Sequence, residues 1–423
     1  MGSDTTYSRA PPADDASAYV VSDPTYAPVP TLAIVALAIA AFGAAAGTRV
    51  TDPMLPVLAR DFGVGIGAAA SVVTLFTGAY GVFQLVYGPI GDRFGKYRVI
   101  AWASAASAIT TLACALAPTF PLLVAARFLA GGTAAAIIPL SMAWIGDTVA
   151  YEQRQPVLAR FLTGQMLGFA AGSLLGGLGA EHLGYRTPFV MLAAWQALAS
   201  MILFGLRRRS RVADPVTAHG FTAREFVAGI AYVWRRPWAR VILVTVFLEG
   251  TFMFGAFAFI ATHLHRHYDV SLTVAGSIVM LYGVGGIVFA ASSPLLVRRL
   301  GEVGLAIAGG GIIFVTLVTL AMVTAWPVAA LATIAMGMGF YMLHNTLQTN
   351  ATQMAPERRG TAVSQFAASL FIGQSVGVAL AGLVAETIDT DAVLLAGAAG
   401  VLAVALGFAY RRRHRAGAGK VSP

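Results

Sequence analysis

Four charged side chains interrupt apolar runs of a length that crosses a bilayer: Arg49, Asp52, Arg127 and Glu249. A charge at the centre of a bilayer costs about 2.5–3.5 kcal/mol or more, so a chain that keeps one there uses it. Glu249 lies near mid-depth of its run and is the leading candidate for a proton carrier, because a carboxyl in a low-dielectric interior is poised to exchange protons. A structural pairing with Arg127 or Arg49 is the competing account. Asp52 is the second candidate; it follows Arg49 by three residues, so the two share a helical face and a plain ion pair is an equal reading. The four charges sum to zero, which predicts that they pair with one another.

A second constellation is Tyr341, His344, Asn345, Gln348 and Thr352. These positions form one helical stripe. A polar stripe on a membrane helix lines water or a bound molecule, or packs against other polar groups. His344 is the member that titrates near neutrality. Gln84, Gln165 and Gln374 are weaker candidates of the same kind. His263, His265 and His267 alternate closely enough to raise a metal site, but a solvated turn at headgroup level accounts for them, and no metal is assigned. Phe247, Phe252, Phe254, Phe257 and Phe259 offer an aromatic surface, most of it explained by packing and lipid contact. Cys114 is the single cysteine, so no internal disulfide forms.

The elements that hold these residues follow from composition. The chain of 423 residues is 57% hydrophobic and 11% charged, against about 25% charged in soluble domains. So few charges cannot coat a water-soluble body of this size. The net charge of +9 does not point to nucleic acid, because the basic residues collect in short connections between apolar runs, as membrane orientation requires. The Ala, Gly and Arg bias fits a high-GC bacterial genome, hence a bacterial inner (plasma) membrane. No phosphate-binding loop and no large soluble domain argue for an enzyme.

Twelve spans are predicted, at 31–58, 68–90, 97–117, 119–146, 158–182, 187–206, 238–263, 271–297, 303–324, 326–354, 360–386 and 389–410. With the N-terminus in the cytoplasm, basic residues crowd the cytoplasmic connections and C-terminal tail. Only Arg60, Arg186 and Arg266 fall outside. Both termini are then cytoplasmic. Residues 1–30 read as a disordered tail, 31–206 and 238–410 as two six-helix bundles, and 411–423 as a basic tail. The linker 207–237 carries an amphipathic stretch, with Phe221, Phe226, Ile230 and Trp234 facing lipid.

The halves repeat at an offset of roughly 205 residues: Glu152-Gln-Arg154 answers Glu357-Arg358-Arg359, Pro89 to Gly95 answers Pro294 to Gly301, and Gly164-Gln165 answers Gly373-Gln374. Such duplications build transporters in which two bundles rock about a midplane site.

Three motifs carry a family resemblance. Gly88-Pro-Ile-Gly91-Asp92-Arg93-Phe-Gly95-Lys96-Tyr-Arg98 resembles the signature loop of the major facilitator superfamily. Arg127, four residues before Gly131, resembles that family's fourth-span arginine. Gly168-x-x-x-Gly172-Ser173-x-x-Gly176-Gly177 is similar to its antiporter motif, with Ser173 where the family has Pro. The resemblance spans about residues 31–410 and implies an all-α membrane fold of twelve helices. It also implies a conformational latch at Gly88, Asp92, Arg93, Gly95 and Arg98. Gly88 would let two helices touch, and Arg93 and Arg98 would pair with Asp92. Arg127 would tune a nearby carboxyl. The expected activity is proton-coupled efflux of small organic molecules such as drugs or metabolites, by a monomer using protons, substrate and the lipid bilayer and no cofactor. Import of a nutrient by proton symport is the alternative.

Overall fold

The structure, a computed structural model, describes residues 30–210, 214, 223–323 and 325–418. The expected N-terminal tail through residue 29, the linker stretch holding Phe221, and residues 419–423 with Lys420 lie outside the described residues.

Seventeen α-helices, numbered in chain order, make the fold among the described residues. Those of the first half are α1 (Thr31–Arg49), α2 (Leu55–Phe62), α3 (Ile66–Ala69), α4 (Ser71–Phe94), α5 (Lys96–Leu116), α6 (Phe120–Ala134), α7 (Ile137–Thr148), α8 (Tyr151–Leu178) and α9 (Arg186–Ser210). Then come α10 (Ala223–Arg235), α11 (Pro237–Glu249), α12 (Gly255–His267), α13 (Leu272–Met280), α14 (Tyr282–Met322), α15 (Trp326–Gln353), α16 (Arg359–Thr387) and α17 (Thr390–Ala418). Helices dominate because inside a bilayer every backbone amide must be satisfied within its own segment. Eleven segments are long and apolar enough to cross, and one of these, Leu272–Met322, holds 51 residues. It contains two spans, because Gly301 breaks it with φ +62°. The twelve-span count follows. Gly95, the last glycine of the signature loop, does the same between the second and third spans at φ +90°. Only glycine adopts that conformation without cost, so both halves turn the chain with the same device.

Two boundaries differ from the sequence expectation. The first span does not run to residue 58. It ends at Arg49, and α2 is a separate amphipathic helix that ends in the left-handed Gly63. The last helix does not stop at residue 410, since α17 continues through Arg411 to Arg415 into the basic tail. In the linker, α10 buries Val233 and Gly229, leaves Phe226 and Ile230 half-buried, and exposes Trp234.

In the first half α1 lies along α8 and α5 along α9; in the second, α11 packs on α16, and α14 on α15 and α17. The halves meet through α4 with α16 and α8 with α13. Apolar side chains such as Leu32, Ile109, Leu331 and Ile388 are exposed around the outside, as lipid contact requires. The α4–α5 turn, α10 and the C-terminal end of α17 lie at one end of the bundle, called here the basic end. The α12–α13 and α16–α17 turns lie at the far end.

Candidate functional site

Glu249 is the last residue of α11, and the next five residues, Gly250–Phe254, form a π-helical turn. Such turns inside α-helices recur at functional sites. Its side chain is fully buried. Glu249 Oε2 is 2.9 Å from His344 Nδ1, and Oε1 has no hydrogen-bond partner among the described residues. Neither Arg127 nor Arg49 is its partner. The imidazole stacks on Phe340 with ring centroids 4.9 Å apart and leans on Phe366 at 5.3 Å. A carboxylate and an imidazole at this distance share or exchange one proton.

Arg49 and Asp52 form an ion pair at 3.4 Å, both buried. The turn between α1 and α2 brings them together. The Arg49 guanidinium lies 4.4 Å from the Phe254 ring and 4.8 Å from that of Phe257. Those rings belong to the second half, so this cation reaches across the midline of the molecule, held by cation–π attraction. Phe254 in turn meets Phe340 at 5.1 Å. A continuous chain of rings therefore joins Arg49 of one half to the Glu249–His344 dyad of the other.

Arg127 departs from expectation. It makes no ion pair among the described residues. Its guanidinium donates to the Val72 and Gly47 carbonyls, each at 3.1 Å, and to Thr51 Oγ1 at 3.3 Å, and it lies 3.9 Å over Phe76. It ties α6 to the ends of α1 and α4. The expected mutual pairing of four charges thus reduces to one pair, with Glu249 going to a histidine and Arg127 to backbone oxygens.

The remaining polar candidates spread out. Tyr341 joins the ring cluster beside Tyr282 and Phe340. Asn345 is half-buried, and Gln348, closer to the basic end, is exposed. Gln84 and Gln374 are buried, each with one amide atom lacking a hydrogen-bond partner among the described residues; Gln165 is half-buried. Gln365 on α16, not singled out from sequence, is buried with both amide atoms in that condition. Its position about two turns beyond Arg358-Arg359 gave no signal.

The signature loop pairs differently from the expectation. Lys96 Nζ is the cation, 2.6 Å from Asp92 and 2.8 Å from Asp147 at the end of α7. Arg93 lies over Phe94 instead, and Arg98 offers its backbone amide to Asp214. A Cβ on Gly88 would meet nothing within 4 Å, whereas one on Gly91 would strike Leu140. The close approach is therefore at Gly91. Asp214, missed in the sequence, caps α5 by accepting from the Tyr97 and Arg98 amides, each at 3.0 Å.

The antiporter-like glycines are contact surfaces. A Cβ on Gly168, Gly172 or Gly176 would press into the Phe42, Ala46 or Val50 carbonyl of the first span's end, at 2.3, 2.4 and 2.1 Å. Gly177 faces the other way: a Cβ there would press into the Leu272 carbonyl of the second half. Small residues let membrane helices approach this closely. Gly373 and Gly377 repeat the arrangement against Phe247 and Thr251.

At the far end two carboxylates bridge the halves. Glu386 accepts from the Gly67 amide at 3.1 Å, and Glu181 from the Thr273 amide at 2.8 Å. Each caps the first turn of a helix in the opposite half. Neither was marked by sequence reasoning. The outer histidines also depart from expectation: His265 bonds the Val270 carbonyl, but His263 is buried and bonds Thr390 and the Leu320 carbonyl, so no common solvated turn exists.

Comparisons with known proteins converge on one family. The family model for the Major Facilitator Superfamily matches residues 37–378. The uncharacterized MFS-type transporter YceJ of Bacillus subtilis is 26% identical over 352 residues, covering 80% of this chain and 86% of that protein. The multidrug efflux pump LfrA of Mycolicibacterium smegmatis is 28% identical over 203 residues, 47% of this chain and 40% of the pump. Among solved structures, the nucleoside transporter NupG superposes with a TM-score of 0.71 at 15% identity, covering 89% of this chain and 98% of that one.

Proposed function

The chain belongs to the major facilitator superfamily, and we propose that within it the protein is a proton-coupled exporter of small organic molecules working by alternating access. It is a membrane transporter, not an enzyme. The observation that carries the reading is the buried Glu249–His344 dyad at 2.9 Å. Glu249 is fully buried and His344 only slightly exposed, so a proton held there is sequestered from bulk water. The basic end is taken as cytoplasmic. The halves are clasped at the far end through Glu386, Glu181 and Gly177, so this conformation is closed to the outside. In the exporter cycle, substrate enters from the cytoplasm as the dyad gives up its proton. The outward-open form then releases substrate and reloads Glu249 from outside. The ring chain through Phe254, Phe340 and Tyr341 supports substrates that carry aromatic or other flat apolar groups. The sequence kinship to pumps described as multidrug efflux proteins supports the outward direction.

The test is proton flux in energised inverted vesicles on adding a panel of lipophilic and sugar-like compounds, with wild type, Glu249→Gln and His344→Gln side by side. Substrate-dependent flux lost in Glu249→Gln is expected, with His344→Gln shifting its pH profile. Flux that survives Glu249→Gln moves the carrier to Asp52. No flux with any compound, alongside accumulation of substrate in cells, sinks export in favour of symport.

A further inference from the structure

We propose that His263, His267 and Asp391 form a binding site for a divalent transition-metal ion of the zinc type at the far end of the second half, away from the dyad. His263 and His267 are one turn apart in α12, and Asp391 is in the first turn of α17. The ligating atoms of the three lie within 4.8 Å of one another.

The hydrogen bonds decide which atoms face the centre. His263 Nε2 is 2.9 Å from the Leu320 carbonyl, which can only accept, so this nitrogen carries the hydrogen. His267 Nε2 is 3.3 Å from Asp389 Oδ1, and a carboxylate likewise accepts. In the neutral rings both Nδ1 atoms then present lone pairs. They point to the same carboxylate: His263 Nδ1 is 3.3 Å from Asp391 Oδ1, and His267 Nδ1 is 4.0 Å from Asp391 Oδ2. The rings are stacked, 4.6 Å apart and inclined by 19°. Asp391 Oδ1 is buried and accepts no hydrogen bond among the described residues. Thr390 Oγ1, 3.0 Å from His263 Nδ1, has a second acceptor in Asp389 Oδ1 at 3.2 Å, so its hydrogen need not occupy the ring nitrogen.

Three lone-pair donors converging without a proton repel one another, and a cation at their centre removes the repulsion. Zinc takes imidazole nitrogen and carboxylate oxygen at about 2.0–2.2 Å in tetrahedral geometry, which sets neighbouring ligand atoms roughly 3.3–3.5 Å apart. The His263–Asp391 separation already has that value. Each histidine also has the acceptor on its other nitrogen that orients metal-bound imidazoles: a carbonyl for His263, a carboxylate for His267. Two imidazoles favour zinc-type ions over magnesium or calcium, which prefer all-oxygen shells. The bound ion would join the last turn of α12 to the start of α17.

The experiment uses untagged, full-length protein in detergent, stripped with a chelator and titrated with zinc(II) by calorimetry, with cobalt(II) absorption as a geometric readout. Variants are His267→Ala, Asp391→Asn and, as a control on the neighbouring exposed ring, His265→Ala. One zinc per chain is expected, with a tetrahedral cobalt spectrum. Affinity should fall more than about 10-fold in His267→Ala and in the near-isosteric Asp391→Asn, and stay unchanged in His265→Ala. Folding of each variant is checked by its thermal unfolding. Absence of zinc binding to folded wild-type protein overturns the proposal. So does equal affinity in all four proteins, or loss confined to His265→Ala, either of which places the ion on other histidines.

Discussion

Replacing Glu181 and Glu386 together by Ala should open the far end. Their carboxylates accept the Thr273 and Gly67 amides across the interface between the halves. In the repeat the two are equivalent, 386 standing 205 residues after 181, and each accepts from the second residue of a helix, Gly67 in α3 and Thr273 in α13. Both bonds exist only while that end is closed. Removing a helix-capping acceptor costs about 0.5–2 kcal/mol. These two reach solvent, so the lower half of that range applies, and the pair contributes about 1–2 kcal/mol to the closed state. At 1.4 kcal/mol per factor of ten, the ratio of far-end-open to far-end-closed molecules should rise about 5- to 30-fold. The gauge is the distance distribution between spin labels at Asp61→Cys and Ile388→Cys, in a background carrying Cys114→Ala to remove the one native thiol. Each single variant should give about the square root of the effect. A double variant whose distribution matches the parent would refute the assignment of these carboxylates as gate contacts, and with it the view that this end is held by them rather than by the glycine packing alone.

Two further perturbations test other parts of the architecture. Gly172→Leu puts a side chain where even a Cβ would come 2.4 Å from the Ala46 carbonyl, and should destabilise the protein by about 1–3 kcal/mol in detergent; thermal unfolding against Gly146→Leu, where a Cβ would meet nothing within 4 Å, checks it. Asp214→Ala uncaps α5 and should cost about 1 kcal/mol locally, read as roughly 5-fold faster hydrogen exchange at the Tyr97 and Arg98 amides.

Much of the fold was legible in the chain. Twelve spans followed from apolar run length, because the bilayer imposes the same demand on each segment separately. The misread first boundary has a physical cause: α2 continues the apolar pattern beyond Arg49, and only the turn at residues 50–54 separates it. The duplication was visible, and its deepest consequences, the positive-φ turns at Gly95 and Gly301 and the twin carboxylates Glu181 and Glu386, were not. Carboxylates near span ends look like any other polar residue at a headgroup boundary.

Composition and spacing by themselves determined that this is a membrane protein of two repeated six-helix halves, with buried charge at Arg49, Asp52, Arg127 and Glu249. Only the tertiary structure decided who meets whom. It gave Glu249 to His344, 95 residues away, Arg127 to backbone carbonyls, Lys96 to two aspartates, and His263 and His267 to Asp391. The reason is that hydropathy is a local property, set residue by residue against lipid. A buried charge, by contrast, takes whichever donor or acceptor the rotation and neighbours of its helix bring within about 3 Å, and those are fixed by packing among segments far apart in the chain.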